Sequence, residues 1–357
     1  MNPLQQLAEL GQSVWLDSLR RSYLGPEGYL AGLIDAGEID GLTSNPSIFE
    51  KALGEDESYD AQLRELAGTG PREALWTVMK ADVGDACDLF RPLYDASGGR
   101  KGFASLEVDP SKAFDTEETV SEALLLFREL DRPNLMVKVP GTESGIPALT
   151  RLIAEGVNVN VTLLFSVPRY EAVAEAYIEG LRRRRDAGGD LSKVASVASF
   201  FVSRVDSKVD AILGDERPRL ATAAILNARV AYASFERIFS SAGWQELAAL
   251  GARPQRPLWA STSVKDDFYP DTLYVAELAG PQTVNTMPES TLDLFRDHGE
   301  VADRLTGQGQ EARAQIQRLA ESGVDLDQIT KELEAEGVEK FVTAFEGAIA
   351  AMSEEKP

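Results

Sequence analysis

Short apolar segments alternate along the chain with longer segments of helical periodicity, such as ETVSEALLLFREL and ESGIPALTRLIAEG. Strands that alternate with helices are typical of parallel sheets. The candidate strands lie at residues 13–17, 39–45, 102–109, 134–139, 157–164, 194–200, 257–262 and 282–287. Eight such units predict an α/β fold, a (β/α)8 TIM barrel with extra helices.

Two stretches exceed what a minimal barrel needs. For residues 46–101, between the second and third strands, we predict a mostly helical excursion. For residues 320–357 we predict a helical extension after the last barrel helix. Within this extension, VDLDQITKELEAEGVEKFVTAFEGAIAAM has amphipathic spacing, for which we expect a packed helical hairpin. Since no linker divides the chain, residues 1–357 are predicted to form a single barrel domain.

The polar residues of the predicted strands share a face. Successive side chains of a strand point to opposite faces, and in a barrel one face meets the helices while the other fills the interior. In the segment 157–164, valines alternate with Asn158, Asn160 and Thr162. The interior of the barrel is therefore predicted to be polar along this strand.

The same alternation places Lys138 inside the barrel, together with Ser105, Glu107 and Asp109 of the third strand. Enzymes of this architecture build their sites at the carboxyl ends of the strands. Polar residues are predicted there on the remaining strands: Asp17, Thr43, Asn45, Ser199, Ser261 and Asn285. We therefore expect a polar pocket around one buried lysine.

A buried lysine has two interpretations. The first is a structural salt bridge between Lys138 and Glu107 or Asp17, which must offset the cost of removing charges from water. The second is catalysis, because a neutral amine attacks a carbonyl and desolvation favours the neutral form. A carboxylate and a hydroxyl-bound water can then move the protons. The number of polar groups around one lysine favours catalysis.

Composition restricts the partners. The 58 acidic and 36 basic residues give a net charge of −22, which opposes binding to nucleic acid or to an anionic membrane. A phosphorylated substrate then needs a local positive pocket. The single cysteine, Cys87, and the single histidine, His298, exclude a disulfide framework and a multi-histidine metal site. We expect neither metal nor cofactor.

The first residues lack the pattern of a signal peptide, and no apolar run is long enough to span a membrane. We therefore expect a soluble, cytoplasmic protein.

Six segments, in this order, resemble the transaldolase family: LTSNPSIFEKA, SLEVDP, LMVKVPGTESGIPAL, NVNVTLLFS, ASFFVSRVD and VNTMPE. They extend over nearly the whole chain, which is most similar to the long bacterial subfamily. The resemblance implies transfer of a dihydroxyacetone unit from sedoheptulose 7-phosphate to glyceraldehyde 3-phosphate, giving erythrose 4-phosphate and fructose 6-phosphate. This reaction belongs to the non-oxidative pentose phosphate pathway. A monomer or a homodimer is expected. The alternatives are an aldolase that releases free dihydroxyacetone and a non-catalytic barrel that binds sugar phosphates.

The resemblance also implies roles for single residues. Lys138 matches the Schiff-base lysine, and Glu107 matches the acid–base glutamate. Asp17 matches the aspartate that handles the proton at the cleaved bond, and Thr162 matches the threonine that positions the catalytic water. The predicted substrate-binding residues are Asn45, Thr43, Asn160, Ser199, Phe201, Arg204, Ser261 and Lys265.

The phosphate site departs from the family pattern. Where many relatives place an arginine near the seventh strand, this chain has Ser263, so Lys265 is expected to supply a weaker positive charge. We expect Arg204 to be the main phosphate ligand. The alternative for Arg204 is a structural ion pair with a neighbour such as Asp206.

Overall fold

Eight parallel strands close into a barrel in the computed structural model, which describes residues 1–218 and 222–352. Each strand pairs with its neighbours in chain order, and β8 pairs with β1. The strands are β1 Gln12–Leu16, β2 Gly41–Thr43, β3 Phe103–Glu107, β4 Leu135–Pro140, β5 Val159–Leu164, β6 Ser196–Phe201, β7 Arg256–Ala260 and β8 Thr283–Met287. The predicted barrel is confirmed, and each predicted strand overlaps an observed one.

Helices follow the strands and surround the barrel. In the part of the chain that the structure describes they are α1 Pro3–Leu10, α2 Tyr29–Asp35, α3 Pro46–Glu55, α4 Asp60–Glu65, α5 Pro71–Ala96, α6 Thr116–Leu130, α7 Gly145–Glu155, α8 Val167–Asp186, α9 Ser203–Leu213, α10 Ala223–Ile238, α11 Ala242–Ala248, α12 Leu273–Glu277, α13 Glu289–His298, α14 Gly309–Glu321 and α15 Leu326–Ala351. Helices α3, α4 and α5 lie between β2 and β3, within the stretch predicted as a helical excursion.

Side-chain caps fix the strand-to-helix turns next to the barrel opening. The side chain of Asn45 accepts a hydrogen bond from Ile48 N at 3.1 Å and starts α3. Ser166 starts α8 in the same way by accepting from Arg169 N at 3.2 Å. Each helix carries a proline in its first turn, where the missing N–H costs nothing. These turns leave the strand ends facing one opening.

The hairpin expected in the C-terminal extension is wrong. Helix α15 runs without a break for 26 residues. Gly337, near its middle, packs closely on the barrel, because a Cβ added there would lie 3.0 Å from Leu163 Cδ2. The glycine therefore serves helix packing and not a turn. Residues 353–357, the last of the predicted extension, lie outside the described residues.

An aromatic layer fills the barrel below its carboxyl end. Trp15 pairs in register with Gly41, and Gly41 pairs with Phe103. The Trp15 and Phe103 rings lie 6.5 Å apart, and both side chains are buried. A Cβ on Gly41 would collide with the Trp15 indole, so this strand position accepts only glycine without a shift. The layer supports the polar residues above it.

We expect Gly41→Ala to lower the free energy of unfolding by about 1–3 kcal/mol, because the added methyl group overpacks the Trp15 ring. Urea denaturation monitored by circular dichroism measures this change. Gly32→Ala is the matched control, since no heavy atom lies within 4 Å of the added Cβ in α2. Equal midpoints for the two variants would contradict the packing of Trp15 on Gly41.

Candidate active site

A cavity of about 620 Å³ opens at the carboxyl end of the barrel strands. Most of the predicted site residues line it: Asp17, Thr43, Asn45, Lys138, Thr162, Ser199, Phe201, Arg204, Ser261 and Lys265. The other two, Glu107 and Asn160, are buried behind this lining. The structure thus brings side chains that are distant in sequence together around Lys138.

Lys138 and Glu107 form a buried ion pair. Lys138 Nζ lies 3.2 Å from Glu107 Oε2, and the two side chains are only 5% and 1% exposed. The ammonium also donates a hydrogen bond to the Ser44 carbonyl at 3.2 Å. Burial raises the pKa of Glu107 to about 7, a shift that the nearby Lys138 opposes and Asp17 reinforces. Glu107 can therefore gain and lose a proton near neutral pH.

The hydrogen bonds of this ion pair are incomplete, unlike those of a purely structural salt bridge. Glu107 Oε1 is buried and has no hydrogen-bond partner among the described residues. Buried structural carboxylates normally have all their oxygens hydrogen-bonded. The pair in this chain leaves one carboxylate oxygen free for a water molecule or a substrate, which favours the catalytic interpretation.

Asp17 supplies a second carboxyl group to the same cavity. Burial raises its pKa, and the positive charges of Lys138, Lys265 and Arg204 oppose this shift. Asp17 follows directly after β1, and its backbone N–H donates to Met287 O at 2.8 Å, which anchors it to β8. Two carboxyl groups with raised pKa values therefore flank a single lysine, an arrangement suited to proton transfer.

A chain of hydrogen bonds crosses the barrel beneath the cavity. Ser199 Oγ donates to Asn160 Oδ1 at 2.7 Å, and Asn160 Nδ2 donates to Ser105 Oγ at 3.1 Å. Ser199 lines the cavity, whereas Asn160 lies one position deeper, level with Lys138 in the β4–β5 register. This geometry gives Asn160 a supporting role for Ser199, and its direct contact with substrate stays a prediction.

The strand β5 contains an irregularity at the site. The register of β5 against β6 shifts between Val161 and Leu164, and Leu163 has φ of 62°. A bulky residue with this backbone conformation is strained, and such strain is frequent at functional sites. The residue just before it, Thr162, has a buried hydroxyl with no hydrogen-bond partner among the described residues. This hydroxyl is available to a ligand of the cavity.

Arg204 lies in the first turn of α9, with its guanidinium 5.2 Å from the centre of the Phe201 ring. The alternative interpretation, an ion pair with Asp206, is wrong. Asp206 accepts hydrogen bonds from Ala224 N at 2.8 Å and from the Tyr274 hydroxyl at 2.9 Å, away from Arg204. Arg204 therefore carries its charge on the cavity wall.

The end of β7 contributes Ser261 and Lys265 to the same wall. Ser261 has φ of 57°, and its hydroxyl lies 2.9 Å from the Ser203 hydroxyl. Ser263 also lines the cavity, with its hydroxyl 2.9 Å from that of Thr291. Lys265 is exposed at the opening of the cavity.

Asp109 and Asn285, which were predicted to point into the barrel, make their contacts elsewhere. The backbone turns after β3, so one oxygen of Asp109 accepts from Ser111 N at 2.9 Å, and the other forms an ion pair with Arg72. Asn285 accepts from Thr262 Oγ1 at 3.0 Å and stands in register with Trp259. The placement of these two residues in the site was wrong.

Thr286 takes the place predicted for Asn285. It pairs in register with Trp15 on the inner face of β1, and it lines the cavity. The prediction failed because polar residues occupy both faces of β8. Alternation alone therefore does not show which face of β8 points into the barrel. Only the register with β1 selects Thr286.

Sequence reasoning missed further residues of the cavity, among them two cations and one aromatic side chain. Lys51 and Arg20 add positive charge, although Arg20 also pairs with Glu55 at 3.1 Å. Lys51 lies one helical turn after Ser47 within the quoted motif, so helical spacing after the second strand could have indicated it. Phe341 of α15 lies with its ring centre 5.3 Å from Lys138 Nζ. No sequence pattern shows that α15 returns to this point.

Within residues 1–218 and 222–352, His, Cys, Asp and Glu side chains form no group of three or more that could hold a metal ion. None of the helices described has the length and apolar character required to cross a membrane.

Comparison with known proteins places this geometry in a family. Residues 14–352 match the family model described as Transaldolase/Fructose-6-phosphate aldolase. The Transaldolase of Parafrankia sp. (strain EAN1pec) is 51% identical, over 99% of this chain and 98% of the relative. The Transaldolase of Thermobifida fusca (strain YX) is 51% identical, over 97% and 96%. That of Acidothermus cellulolyticus is 50% identical, over 99% and 96%. The chain therefore belongs to the transaldolase/fructose-6-phosphate aldolase family.

Proposed function

We infer that this protein is a transaldolase, which moves a dihydroxyacetone unit from sedoheptulose 7-phosphate to glyceraldehyde 3-phosphate through a lysine Schiff base. The products are erythrose 4-phosphate and fructose 6-phosphate. The observation that carries this function is the buried pair of Lys138 and Glu107 in a large polar cavity, in a chain about half identical to several transaldolases. The pathway is the non-oxidative pentose phosphate pathway.

Schiff-base formation requires an amine nucleophile and a group that moves protons. We propose that Glu107, 3.2 Å from Lys138 Nζ, accepts the ammonium proton and frees the amine lone pair to attack the substrate ketone. Protonated Glu107, through a water molecule bound to Thr162 Oγ1, then supplies a proton to the carbinolamine hydroxyl, which leaves as water. Its pKa of about 7 suits both directions of transfer.

Cleavage requires a base on the other side of the imine. The bond that breaks joins the three-carbon unit held by Lys138 to the carbon that leaves as the aldehyde. Asp17 takes the proton from the hydroxyl group on this leaving carbon. The electron pair of that bond moves into the protonated imine to give an enamine, and the first aldehyde leaves. The enamine then attacks the second aldehyde, and Asp17 returns its proton to the aldehyde oxygen, which becomes the new hydroxyl. Water then hydrolyses the resulting imine, which releases the product ketose and the Lys138 amine. The raised pKa of Asp17 supports this role, because it makes the carboxylate a stronger base.

The substrate phosphate is proposed to lie between Arg204 and Lys265. Arginine can hold two phosphate oxygens in a fixed geometry, while lysine offers one mobile charge. Both residues line the cavity, and Lys51 adds a third positive charge. Phe201, Asn45, Thr43 and Ser199 would contact the carbon chain and its hydroxyls. Asn45 Oδ1 already caps α3, so its amide N–H groups are the ones available.

We also propose that the protein acts in the cytoplasm, as a monomer or a homodimer, without cofactor and without nucleic-acid or membrane partners. The support is its net charge of −22, its single cysteine and the phosphorylated substrates of the reaction.

Transfer between sugars tests the function directly. With fructose 6-phosphate and erythrose 4-phosphate, the wild-type protein should form sedoheptulose 7-phosphate much faster than fructose 6-phosphate alone yields free dihydroxyacetone. Lys138→Ala should form neither product, because the imine cannot form. Chromatography of the sugar phosphates measures both rates. Equally rapid dihydroxyacetone release without an acceptor would instead support the aldolase activity.

Reduction of the imine with borohydride identifies the lysine that forms it. Borohydride added in the presence of fructose 6-phosphate should attach one reduced dihydroxyacetone unit at Lys138, as detected by peptide mass spectrometry. Lys265→Ala should still be labelled at Lys138, and a label found at another lysine would overturn the assignment.

The pH dependence follows from Glu107. Because burial raises the pKa of this carboxyl group to about 7, it is mostly protonated below pH 7 and cannot accept the lysine proton. We expect kcat/KM to fall about tenfold per pH unit below pH 7. Steady-state assays from pH 5 to about 9 measure this limb. The residual activity of Glu107→Gln should not show this decrease in kcat/KM below pH 7. A decrease that is retained in the variant would assign the ionisation to another group.

Arg204→Ala should lower kcat/KM for fructose 6-phosphate by about tenfold to hundredfold, since a charge-assisted hydrogen bond contributes about 1.5–3 kcal/mol. The loss should appear mainly in KM, and turnover of unphosphorylated fructose should change little. Lys265→Ala should show a smaller effect in the same direction. Arg183→Ala, an exposed position on α8, is the control. Equal losses for both donors would contradict a phosphate contact.

A further inference from the structure

A second cavity, of about 280 Å³, opens at the amino end of the barrel strands, opposite the active site. Ser13 of β1 and Arg256 of β7 line it, below the layer formed by Trp15 and Phe103. Side chains normally fill the interior of an eight-stranded barrel in packed layers. An open chamber lined by polar side chains is therefore unusual at this end of a barrel. Its volume is suited to a small molecule.

The chamber is strongly positive in an acidic protein. Four cationic residues line it, Arg100, Lys101, Arg253 and Arg256, and no carboxylate stands among its described lining residues. The nearby acidic side chain of Asp40 pairs with Lys101 at 3.1 Å. Although Asp40 offsets one of the four charges, three positive charges remain in a chain of 58 acidic and 36 basic residues, and they create a local potential that attracts anions.

The protein satisfies only part of the hydrogen-bonding capacity of Arg256. Its Nη1 donates to Ser13 Oγ at 2.7 Å, and this is its one hydrogen bond within the described part of the chain. Arg253, by contrast, donates to the carbonyls of Gly98 and Gly99. A guanidinium carries five N–H donors, so Arg256 retains donors for a ligand. Loss of water around it lowers its pKa, which Asp40 only partly opposes.

The remaining wall is apolar, with Phe103, Met136, Val197 and Pro254 among its side chains. We propose that this chamber is a binding site for a small organic anion, a carboxylate or a phosphate monoester, with an apolar body. Arg256 holds the anionic group, and the apolar wall packs on the body. The site is separate from the active site and does not depend on the reaction.

Binding is tested with three matched probes: 4-hydroxybenzoate, 4-hydroxyphenyl phosphate and the uncharged 4-hydroxybenzyl alcohol. Saturation-transfer NMR and calorimetric titration of the full chain should show millimolar binding of at least one anion and none of the alcohol. Whichever anion binds more tightly identifies the anionic group. Failure of both anions to bind the wild-type protein overturns the proposal.

The location is tested with variants. Arg256→Gln should weaken binding by about tenfold or more, whereas Arg313→Gln, an exposed position on α14, should leave it unchanged. Arg204→Gln should also leave it unchanged, and binding lost there but kept in Arg256→Gln would place the probe in the active site and overturn the proposal. Ala8→Phe fills the chamber from α1 without removing a charge, so it should block binding even if Arg256→Gln does not fold.

Discussion

The buried pair of Lys138 and Glu107 is the constraint on which the rest of the structure depends. Two charges held 3.2 Å apart with almost no exposure cost far more than they return unless the surroundings are polar. The barrel meets this requirement by giving several strands an inward polar residue near the pair, of which Asn160 and Ser199 are hydrogen-bonded to each other. The same burial makes Glu107 titrate near neutral pH, so the cost of the pair and its chemistry have one cause.

The sequence predicted the barrel and the composition of its site because both depend on local periodicity. The alternation along β5 and the single lysine in β4 needed only the two-residue repeat of a strand. Asn285 shows where this rule fails. Polar residues on both faces of β8 leave the inner face undetermined, and the register against β1 decides it. The backbone after β3 likewise turned Asp109 away, since the two-residue repeat ends with the strand.

Other features depend on contacts between parts of the chain that no local pattern connects. Gly337 looks like a helix breaker in the sequence, yet it is the point where α15 approaches Leu163. Phe341 completes the cavity from the same helix. The irregularity in β5 at Leu163 is likewise invisible in a run of apolar residues. Packing between distant elements sets these features, which explains why the predicted hairpin was wrong.

The position of Phe341 has a consequence for biosynthesis. All eight strands precede this residue, so the ribosome releases the complete barrel sequence before it releases the residue whose ring lies 5.3 Å from Lys138 Nζ. Chains fold from the amino terminus while they are made. A nascent barrel would therefore hold its reactive amine in an open, hydrated cleft, and the amine becomes shielded only when α15 emerges and docks. The order of synthesis thus delays the removal of water from around the Lys138 side chain until the last helix has been made.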